Sequence, residues 1–530
     1  MMLTNGLNRS TVRYPDDTTA HALFEAQAAR TPDSTAVVCG DERFTYRELD
    51  ERANRVAHAI RAMYAKLAGR PFSADTLVGL CMSRRADLIT GMLAILKAGG
   101  AFVPLDPAYP ERRLKYMMDD AGAPIVVSEH GCLEQLLFLN RGEYGVISID
   151  GGWPAIQRHS AKIPAPLSSA RSLAYLMYTS GSTGRPKGAL IEHRGMVNCV
   201  LNEARVRGFG PQSRCLQSSS IAFDAAVLEI WPALLSGSEL HLVQEDVRRD
   251  SIELIRYMSD RGITHAFFTP ALLRALPRAD LPSLRSLVVA GDVCDADTMG
   301  YWSRGRALYN AYGPTETTVA ATMCQYGEGK LATEIGGPIA NVALYVLDQY
   351  RNPTPVGVPG ELYIGGDGVT RGYHNWPELT AERFLENPFA TDEDRAQRRN
   401  LRMYRTGDRV RWLSNGSLEF LGRVDCQVKI RGFRIEPGEI EAALAAHPEV
   451  RSCAVMPYGD GADRRLAAYF VPVAGAAVTA DSITAHLRLT LPEYMIPSAF
   501  VELEALPLSP SGKVDRNALP APRQAAAGGI

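Results

Sequence analysis

The eleven residues from Tyr178 to Gly188, YTSGSTGRPKG, gather three kinds of binding chemistry in one short run. Thr179, Ser180, Gly181, Ser182, Thr183 and Gly184 are all hydroxyl-bearing or glycine, and the cations Arg185 and Lys187 follow at once. Glycines let successive backbone N–H groups converge with no Cβ in the way, hydroxyls add donors, and cations add counter-charge. That set suits a polyphosphate, at roughly 1.5–3 kcal/mol for each charge-assisted hydrogen bond. The spacing is not Gly, four residues, then Gly-Lys-Ser/Thr, the pattern of a loop that opens a helix. Apolar runs flank it instead, SLAYLMY (Ser172 to Tyr178) and ALIEH (Ala189 to His193), so a strand–loop–strand clamp is expected. A flexible Gly/Ser linker is the plain alternative, but linkers seldom separate two apolar strands.

Five further places carry candidate chemistry, each with a plainer explanation beside it. In NAYGPTE (Asn310 to Glu316) the ring of Tyr312 could stack on a base and Glu316 could hold Mg²⁺; a simple turn is the alternative. YRTGD (Tyr404 to Asp408) reads as a strand ending in a carboxylate able to accept two ribose hydroxyls, or as another turn. Lys513, in SPSGKVDR, follows a glycine bend and on its own resembles any solvated lysine. Asp224 interrupts the apolar run SSSIAFDAAVLEIW at the head of a helical stripe, Val227, Leu228, Trp231 and Leu234. It is either an ordinary N-cap or a partly buried carboxylate in need of a cation such as a substrate ammonium. Arg423 and Asp425 flank an apparent domain boundary and read as nucleotide contact or as surface.

Positioning such groups takes a large scaffold. A chain of 530 residues exceeds one hydrophobic core and implies several folding units. Its 46% hydrophobic and 22% charged residues are ordinary for a globular protein, and a net charge of −2 gives no footprint for nucleic acid or an anionic membrane. Nine scattered cysteines without a Cys-x-x-Cys pair argue for reduced thiols in a cytoplasm, against a disulfide framework or a zinc site. Neither a signal peptide nor an 18-residue apolar run is found.

Helical and strand patterns alternate along most of the chain. Leu88, Ile89, Met92, Leu93 and Leu96 form a stripe over Arg85 to Ala98, with Gly99-Gly100 as a C-cap. AFVPLDP, ITHAFFTP and SLRSLVVAG read as buried strands, so α/β architecture with stacked sheets is expected. From about Asn341 the glycine-rich NVALYVLD, GELYIGGDG and GSLEFLG predict a small β-subdomain. TDEDRAQRRN (Thr391 to Asn400) reads as a solvated loop. Beyond Gly422 to Glu441 lies a compact α+β pattern: a helix from Pro437, strands SCAVMPY and RLAAYFVPV, a helix from Ser482 and a strand AFVELEALP.

Taken in order, these segments resemble the adenylation domains of nonribosomal peptide synthetases, within the adenylate-forming superfamily. The resemblance rests on FTYREL, LKAGGAFVPLD, the opening loop, FDAAVLE, NAYGPTE, GELYIGGDGVTRGY, YRTGD, GRVDCQVKIRGFRIEPGEIE, LPEYMIPS and the Lys513 segment, and covers essentially the whole chain. It implies a linker over 1–20 and a large N-terminal lobe over 21–424, built of two stacked α/β sheets with a small β-barrel-like subdomain. A smaller mobile α+β lobe follows over 425–520, hinged at Asp425, then a disordered tail over 521–530. The leading LNRSTVRYPDD, with HALFEAQAARTPD (His21 to Asp33), looks like the linker after a condensation domain, and the chain stops where a carrier domain would begin. The stretch from Met63 to Thr76 departs from the family's usual short connection.

The resemblance further implies ATP and Mg²⁺, an amino acid activated as aminoacyl-AMP with release of pyrophosphate, and transfer to the phosphopantetheine thiol of a peptidyl carrier protein. A condensation domain, an MbtH-like protein and antibiotic or other secondary-metabolite synthesis come with it. Carried over by position, Thr179, Ser180, Gly181, Ser182, Thr183, Gly184 and Lys187 cradle the departing pyrophosphate. Gly291, Asn310, Tyr312 and Thr315 hold the nucleotide, Asp408 and Arg423 the ribose, and Glu316 the metal. Lys513 meets the substrate carboxylate and α-phosphate, so that Lys513, Glu316, Thr179 and Lys187 form the catalytic set. The side-chain pocket maps to Asp224, Ala225, Leu228, Phe267, Val288, Ala290, Ala311, Val319, Ala320 and Lys513. Between Asp224 and Lys513 no member is charged or hydroxyl-bearing, which predicts an apolar substrate side chain, and four alanines leave room for a large or aromatic one. An acyl-CoA or aryl-acid ligase of the same superfamily is the nearest rival, opposed by Asp224, which would repel a fatty acid. A non-catalytic nucleotide-binding scaffold is the rival of another class, opposed by the intact Lys187, Glu316, Asp408 and Lys513.

Overall fold

The stripe of Leu88, Ile89, Met92, Leu93 and Leu96 forms the helix Ala86–Ala98 with all five side chains buried. Gly99 ends it at φ 93°, its N–H on the carbonyls of Ile95 and Leu96, a left-handed conformation that favours glycine. The computed structural model describes residues 8, 10–139, 143–181, 184–425, 427–459, 464–509 and 513–522. The expectations for Ser182, Thr183, residues 523–530 of the tail and residues 1–7 and 9 of the linker therefore lie outside the described residues, as does Cys426.

The chain forms two compact units, and they do not follow a single cut. The first comprises Met1–Pro107, Met118–Met177 and Gly188–Val424; the second comprises Asp425–Ile530 together with Ala108–Met117 and Tyr178–Lys187.

The first unit carries two large sheets with helices against them, the α/β architecture expected. One is six-stranded, and the strands 145–148, 125–128, 77–81, 101–104 and 173–179 pair in parallel, with 187–192 next in order. The other has a parallel half, His265–Phe268, Ser286–Ala290 and Ala307–Tyr312 lying side by side within it. The glycine-rich strands Val342–Leu347, Gly360–Gly366, Arg402–Trp412 and Leu418–Arg423 are antiparallel and join this sheet through Glu334–Pro338 and Thr322–Gln325. One apolar core runs from Phe24 and Tyr46 through Trp231 to Ile364 and Trp412.

Two local readings needed correction. Thr391 to Asn400 is no simple loop: a helix occupies Asp392–Gln397, and Thr391 and Asp394 form a reciprocal capping box, a sequence signal hidden by the surrounding charge. The helix expected from Ser482 starts at Ala480, because Thr479 caps it through the Ser482 N–H. His21 to Asp33, grouped with the leading linker, is mostly the helix Ala20–Arg30, with Phe24 fully buried. Met63 to Thr76 begins as the last turns of the 23-residue helix Tyr46–Ala68, ended by Gly69. Ahead of these, Asn8 and Ser10 hydrogen-bond to the backbone of Leu344 and Val342, and Tyr14 donates to Asp367 at 2.7 Å.

The second unit has its own core, in which Ile435, Ile440, Leu444, Phe470, Ile483, Leu487 and Met495 pack together. Its sheet is Val450–Tyr458, Arg465–Pro472 and Ala499–Glu502, and the hairpin Val428–Ile430 with Phe433–Ile435 leads into the helix Pro437–Ala445. Among the described residues no helix is long and apolar enough to cross a membrane, and eight cysteines are free thiols.

Candidate functional site

In the first unit, the register of three parallel strands brings together four of the residues expected to line the side-chain pocket, Phe267, Val288, Ala290 and Ala311. Phe267 pairs with Val288 and Val288 with Tyr309, while Ala290 pairs with Ala311 one row further on. Phe267, Val288, Tyr309 and Ala311 form one cluster, with Ala225, Ala290 and Met323 against it. Leu228 sits on the helix Ala225–Leu235, which Glu229 anchors by accepting from Gln217 and Ser219 at 3.0 Å. Val319 and Ala320 pack in the same apolar cluster as Leu228, at a turn in which Thr318 and Val319 both hold positive φ, 60° and 69°. Such a backbone is strained for a β-branched residue and persists only where its surroundings fix it. Here Thr318 Oγ1 donates to the Gly368 carbonyl at 2.6 Å.

Asp224 immediately precedes the helix Ala225–Leu235, and the N-cap explanation fails. Its backbone is already helical, at φ −63° and ψ −22°, and its side chain makes no cap bond. Oδ2 instead accepts the Thr315 hydroxyl at 2.6 Å, which ties the pocket to the NAYGPTE turn.

One residue past Thr315, Glu316 is fully buried and its Oε1 accepts the Tyr373 hydroxyl at 2.6 Å. Among the described residues no group of three or more His, Cys, Asp or Glu could by itself hold a metal ion. A single buried carboxylate suits the mode in which Mg²⁺ takes one protein ligand and completes its shell with water and phosphate oxygens.

Tyr312, Asp408 and Arg423 meet in one hydrogen-bonded group. Arg423 Nη1 donates to Asp408 Oδ1 at 2.6 Å, and the Tyr312 phenol donates to Oδ2. Burial, reinforced by the Asp408 charge, holds the Tyr312 phenol protonated well above its ordinary range. Asp408 does not end its strand as expected. It lies inside Arg402–Trp412, paired with Arg423 just before a register shift at Arg409 and Val410. Gly291 follows Ala290 at φ 96°, and the Asn310 amide donates to the Glu334 carbonyl at 2.9 Å.

In the second unit, the loop from Thr179 lies between the strands Leu173–Thr179 and Lys187–Glu192, as the apolar flanks predicted. Ser180 Oγ donates to the Arg434 carbonyl at 2.8 Å, and the Gly181 N–H donates to Glu439 Oε2 at 3.1 Å. The other oxygen of Glu439 pairs with Arg113 at 2.8 Å, both side chains being buried. Arg113 lies in Ala108–Met117, the segment that joins the second unit. Gly184 takes φ 84° with Ala442 so close that a Cβ would lie 2.6 Å away, and Lys187 is buried. Lys513 is exposed, and its carbonyl accepts the Ser509 N–H at 2.7 Å. Asp425 is exposed and its Oδ1 accepts the Gln427 N–H at 3.2 Å.

Sequence reasoning gave no role to Tyr373, Glu439 or Arg113. Tyr373 closes the GELYIGGDGVTRGY segment, so its place was marked but its partner was not.

Residues 24–374 match the model of the family described as AMP-binding enzyme, and residues 439–513 match the AMP-binding enzyme C-terminal domain. The chain belongs to the AMP-binding enzyme family. It is 44% identical over 518 residues to bacitracin synthase 3 of Bacillus licheniformis, covering 97% of this chain and 8% of that protein. It is 40% identical over 528 residues to tyrocidine synthase 3 of Brevibacillus parabrevis, covering 98% of this chain and 8% of that protein. The chain thus spans less than a tenth of the length of either relative. Among solved structures, it superposes on NpsA-ThdA, an artificially fused adenylation–PCP di-domain from Klebsiella oxytoca, at a TM-score of 0.79 with 27% identity, covering 91% of this chain and 93% of that one. It matches holo-PA1221, a protein with adenylation and PCP domains bound to a vinylsulfonamide inhibitor, at 0.79 and 28% identity, covering 95% and 84%. The fold of this AMP-forming ligase is that of nonribosomal peptide synthetase adenylation domains.

Proposed function

We propose that the chain activates an amino acid with a large apolar or aromatic side chain as aminoacyl-AMP and passes it to the phosphopantetheine thiol of a peptidyl carrier protein in nonribosomal peptide synthesis. The observation that carries this reading is Asp224, a carboxylate held by Thr315 beside apolar clusters that contain the expected pocket residues Ala225, Leu228, Phe267, Val288, Ala290, Ala311, Val319 and Ala320. A negative charge at an apolar mouth suits an α-ammonium with an apolar side chain beyond it. A polar side chain stranded against that lining costs about 1–3 kcal/mol.

In the first step a substrate carboxylate oxygen attacks the α-phosphorus of ATP, and the bond to the β-phosphate oxygen breaks with its electron pair leaving on pyrophosphate. A carboxylate is already a nucleophile, so no base is required. The barrier is charge repulsion, which fixed cations and dipoles relieve. Glu316 would hold Mg²⁺, which would further neutralise the phosphate oxygens. Thr179, Ser180, Gly181, Ser182, Thr183, Gly184 and Lys187 hold the leaving pyrophosphate, and Lys513 steadies the reacting carboxylate and α-phosphate. Asp408 and Arg423 take the ribose, while Gly291, Asn310, Tyr312 and Thr315 frame the base. In the second step the carrier thiol attacks the acyl carbon, AMP leaves with the bonding pair, and the thiol proton passes to solvent.

The division of the chain between Val424 and Asp425 supports Asp425 as the hinge of a mobile C-terminal lobe over 425–520. A condensation domain before 1–20, a carrier domain in series or in trans, an MbtH-like helper and a cytoplasmic location belong to the same proposal. ATP–pyrophosphate exchange across the amino acids tests it. Exchange strongest with large apolar or aromatic amino acids is expected, and exchange confined to acidic or basic ones overturns the pocket reading.

A further inference from the structure

Beneath the apolar lining the first unit buries a charged pair that the pocket residues give no hint of. Three rows cross the strands on the pocket face: Ala290 with Ala311, then Phe267, Val288 and Tyr309, then His265, Ser286 and Ala307. Successive rows on one face lie about 6.6 Å apart. The helix His193–Arg207 carries Cys199, Glu203 and Arg207 on one face at four-residue intervals, each about 6 Å along its axis. Both ends of that line are anchored. Cys199 sits by the Ala320 backbone within electrostatic reach of Asp224, at the pocket mouth. Arg207 Nε donates to Ser286 Oγ and Nη2 to the Ala266 carbonyl, both at 3.1 Å, on the third row. Glu203, between them, therefore lies opposite the middle row, and Tyr309 is within electrostatic reach of both Glu203 and Arg207.

The Glu203 side chain has no exposure, and neither of its carboxylate oxygens has a hydrogen-bond partner. Arg207 Nη1 is 3.7 Å away and likewise makes no hydrogen bond. Tyr309 does not serve them, since its hydroxyl is committed to the Val206 carbonyl at 3.1 Å. A buried carboxylate and guanidinium, each short of a partner, are costly to leave so. A hydroxyl answers both, because it donates to one group and accepts from the other. A cationic tip would meet Arg207, an anionic tip would meet Glu203, and an apolar tip would leave both unsatisfied.

We propose that Glu203, with Arg207, forms the specificity-determining floor of the side-chain pocket and takes the hydroxyl at the far end of an aromatic substrate, that is, a phenol. This rests on the adenylation reading and sharpens it from large apolar or aromatic to tyrosine-like. Sites built around a substrate hydroxyl reject the analogue lacking it far more strongly than an apolar pocket rejects a missing methylene.

The test compares wild-type kcat/KM in ATP–pyrophosphate exchange for tyrosine, phenylalanine, 4-fluorophenylalanine and 4-methoxyphenylalanine, a series that needs no variant. Tyrosine is expected to exceed phenylalanine by at least about 30-fold, with the methoxy and fluoro analogues, which cannot donate, falling alongside phenylalanine. Glu203→Gln is expected to lower the tyrosine-to-phenylalanine ratio at least about 10-fold, and Glu203→Leu to reverse it. Phenylalanine used as well as tyrosine by the wild type, or a ratio unmoved in Glu203→Gln, overturns the proposal. Exchange with no amino acid at all would instead remove the adenylation reading. Calorimetric binding of tyrosine against phenylalanine then decides the floor separately, equal affinities overturning it.

Discussion

The Tyr373 hydroxyl donates to Oε1 of Glu316 at 2.6 Å, and both side chains are buried. The tyrosine thus orients the carboxylate assigned to the metal, as outer-shell partners commonly do. Tyr373→Phe removes that bond and leaves the ring. The expected outcome is a 10- to 100-fold higher Mg²⁺ requirement, the range typical of outer-shell losses. Exchange rate titrated against Mg²⁺ reads this directly; superimposable curves for variant and wild type would show that Tyr373 serves packing alone.

Asp408 has both oxygens engaged, one by Arg423 and one by Tyr312. Asp408→Asn leaves a mostly buried guanidinium without its counter-charge, since the two side chains are only 3% and 10% exposed. Losing one partner of a buried pair costs about 3–5 kcal/mol, so a marked fall in unfolding midpoint is expected. If the group also holds ribose, KM for ATP rises while KM for the amino acid moves little. A rise confined to the amino acid would contradict that assignment.

Lys513 separates chemistry from folding in the opposite way. It is exposed, so Lys513→Ala should leave the unfolding temperature where it was. Adenylation should nevertheless fall by roughly 10²–10³, the usual cost of removing one preorganised electrostatic contact to a transition state. Nucleotide affinity, followed by equilibrium binding, should change only a few-fold. An exchange rate equal to wild type would remove the lysine from the reaction.

What the sequence made legible was local. The strand–loop–strand setting of Thr179 to Lys187 followed from its apolar flanks, and the helix at Leu88 to Leu96 from its spacing. Asp224 stood out because a carboxylate inside an apolar run demands a partner, although nothing local said that the partner would be Thr315. Pairings across long separations stayed hidden. Arg113 and Glu439 lie more than 300 positions apart, yet both fall in the second unit and are bonded there. Glu203 escaped for a related reason: the pocket positions lay on three strands, the helix Ala225–Leu235 and one turn, whereas Glu203 reaches the same face from a different helix. The Asp392–Gln397 helix was missed although its Thr-x-x-Asp box is visible in sequence, because a dense charge run masked the cap.

Glu203 also gives the protein a pH signature of its own. Burial lifts its carboxyl from the ordinary 4.5 to about 7, against the opposing pull of Arg207. The folded state therefore binds the proton more tightly than the unfolded chain between those values. This contribution to stability is fully present below pH about 4.5 and is lost as pH rises through about 7, amounting to at most about 3 kcal/mol. Arg207, Cys199 and Tyr309 are the groups within electrostatic reach, and burial pushes the Cys199 and Tyr309 groups up, away from that window. Glu203→Gln mimics the protonated form at every pH. Its unfolding midpoint should match wild type near pH 5 and exceed it at pH 8. Parallel profiles for the two proteins across that range would mean that the carboxylate is solvated in the folded state, and the buried floor would fall with it.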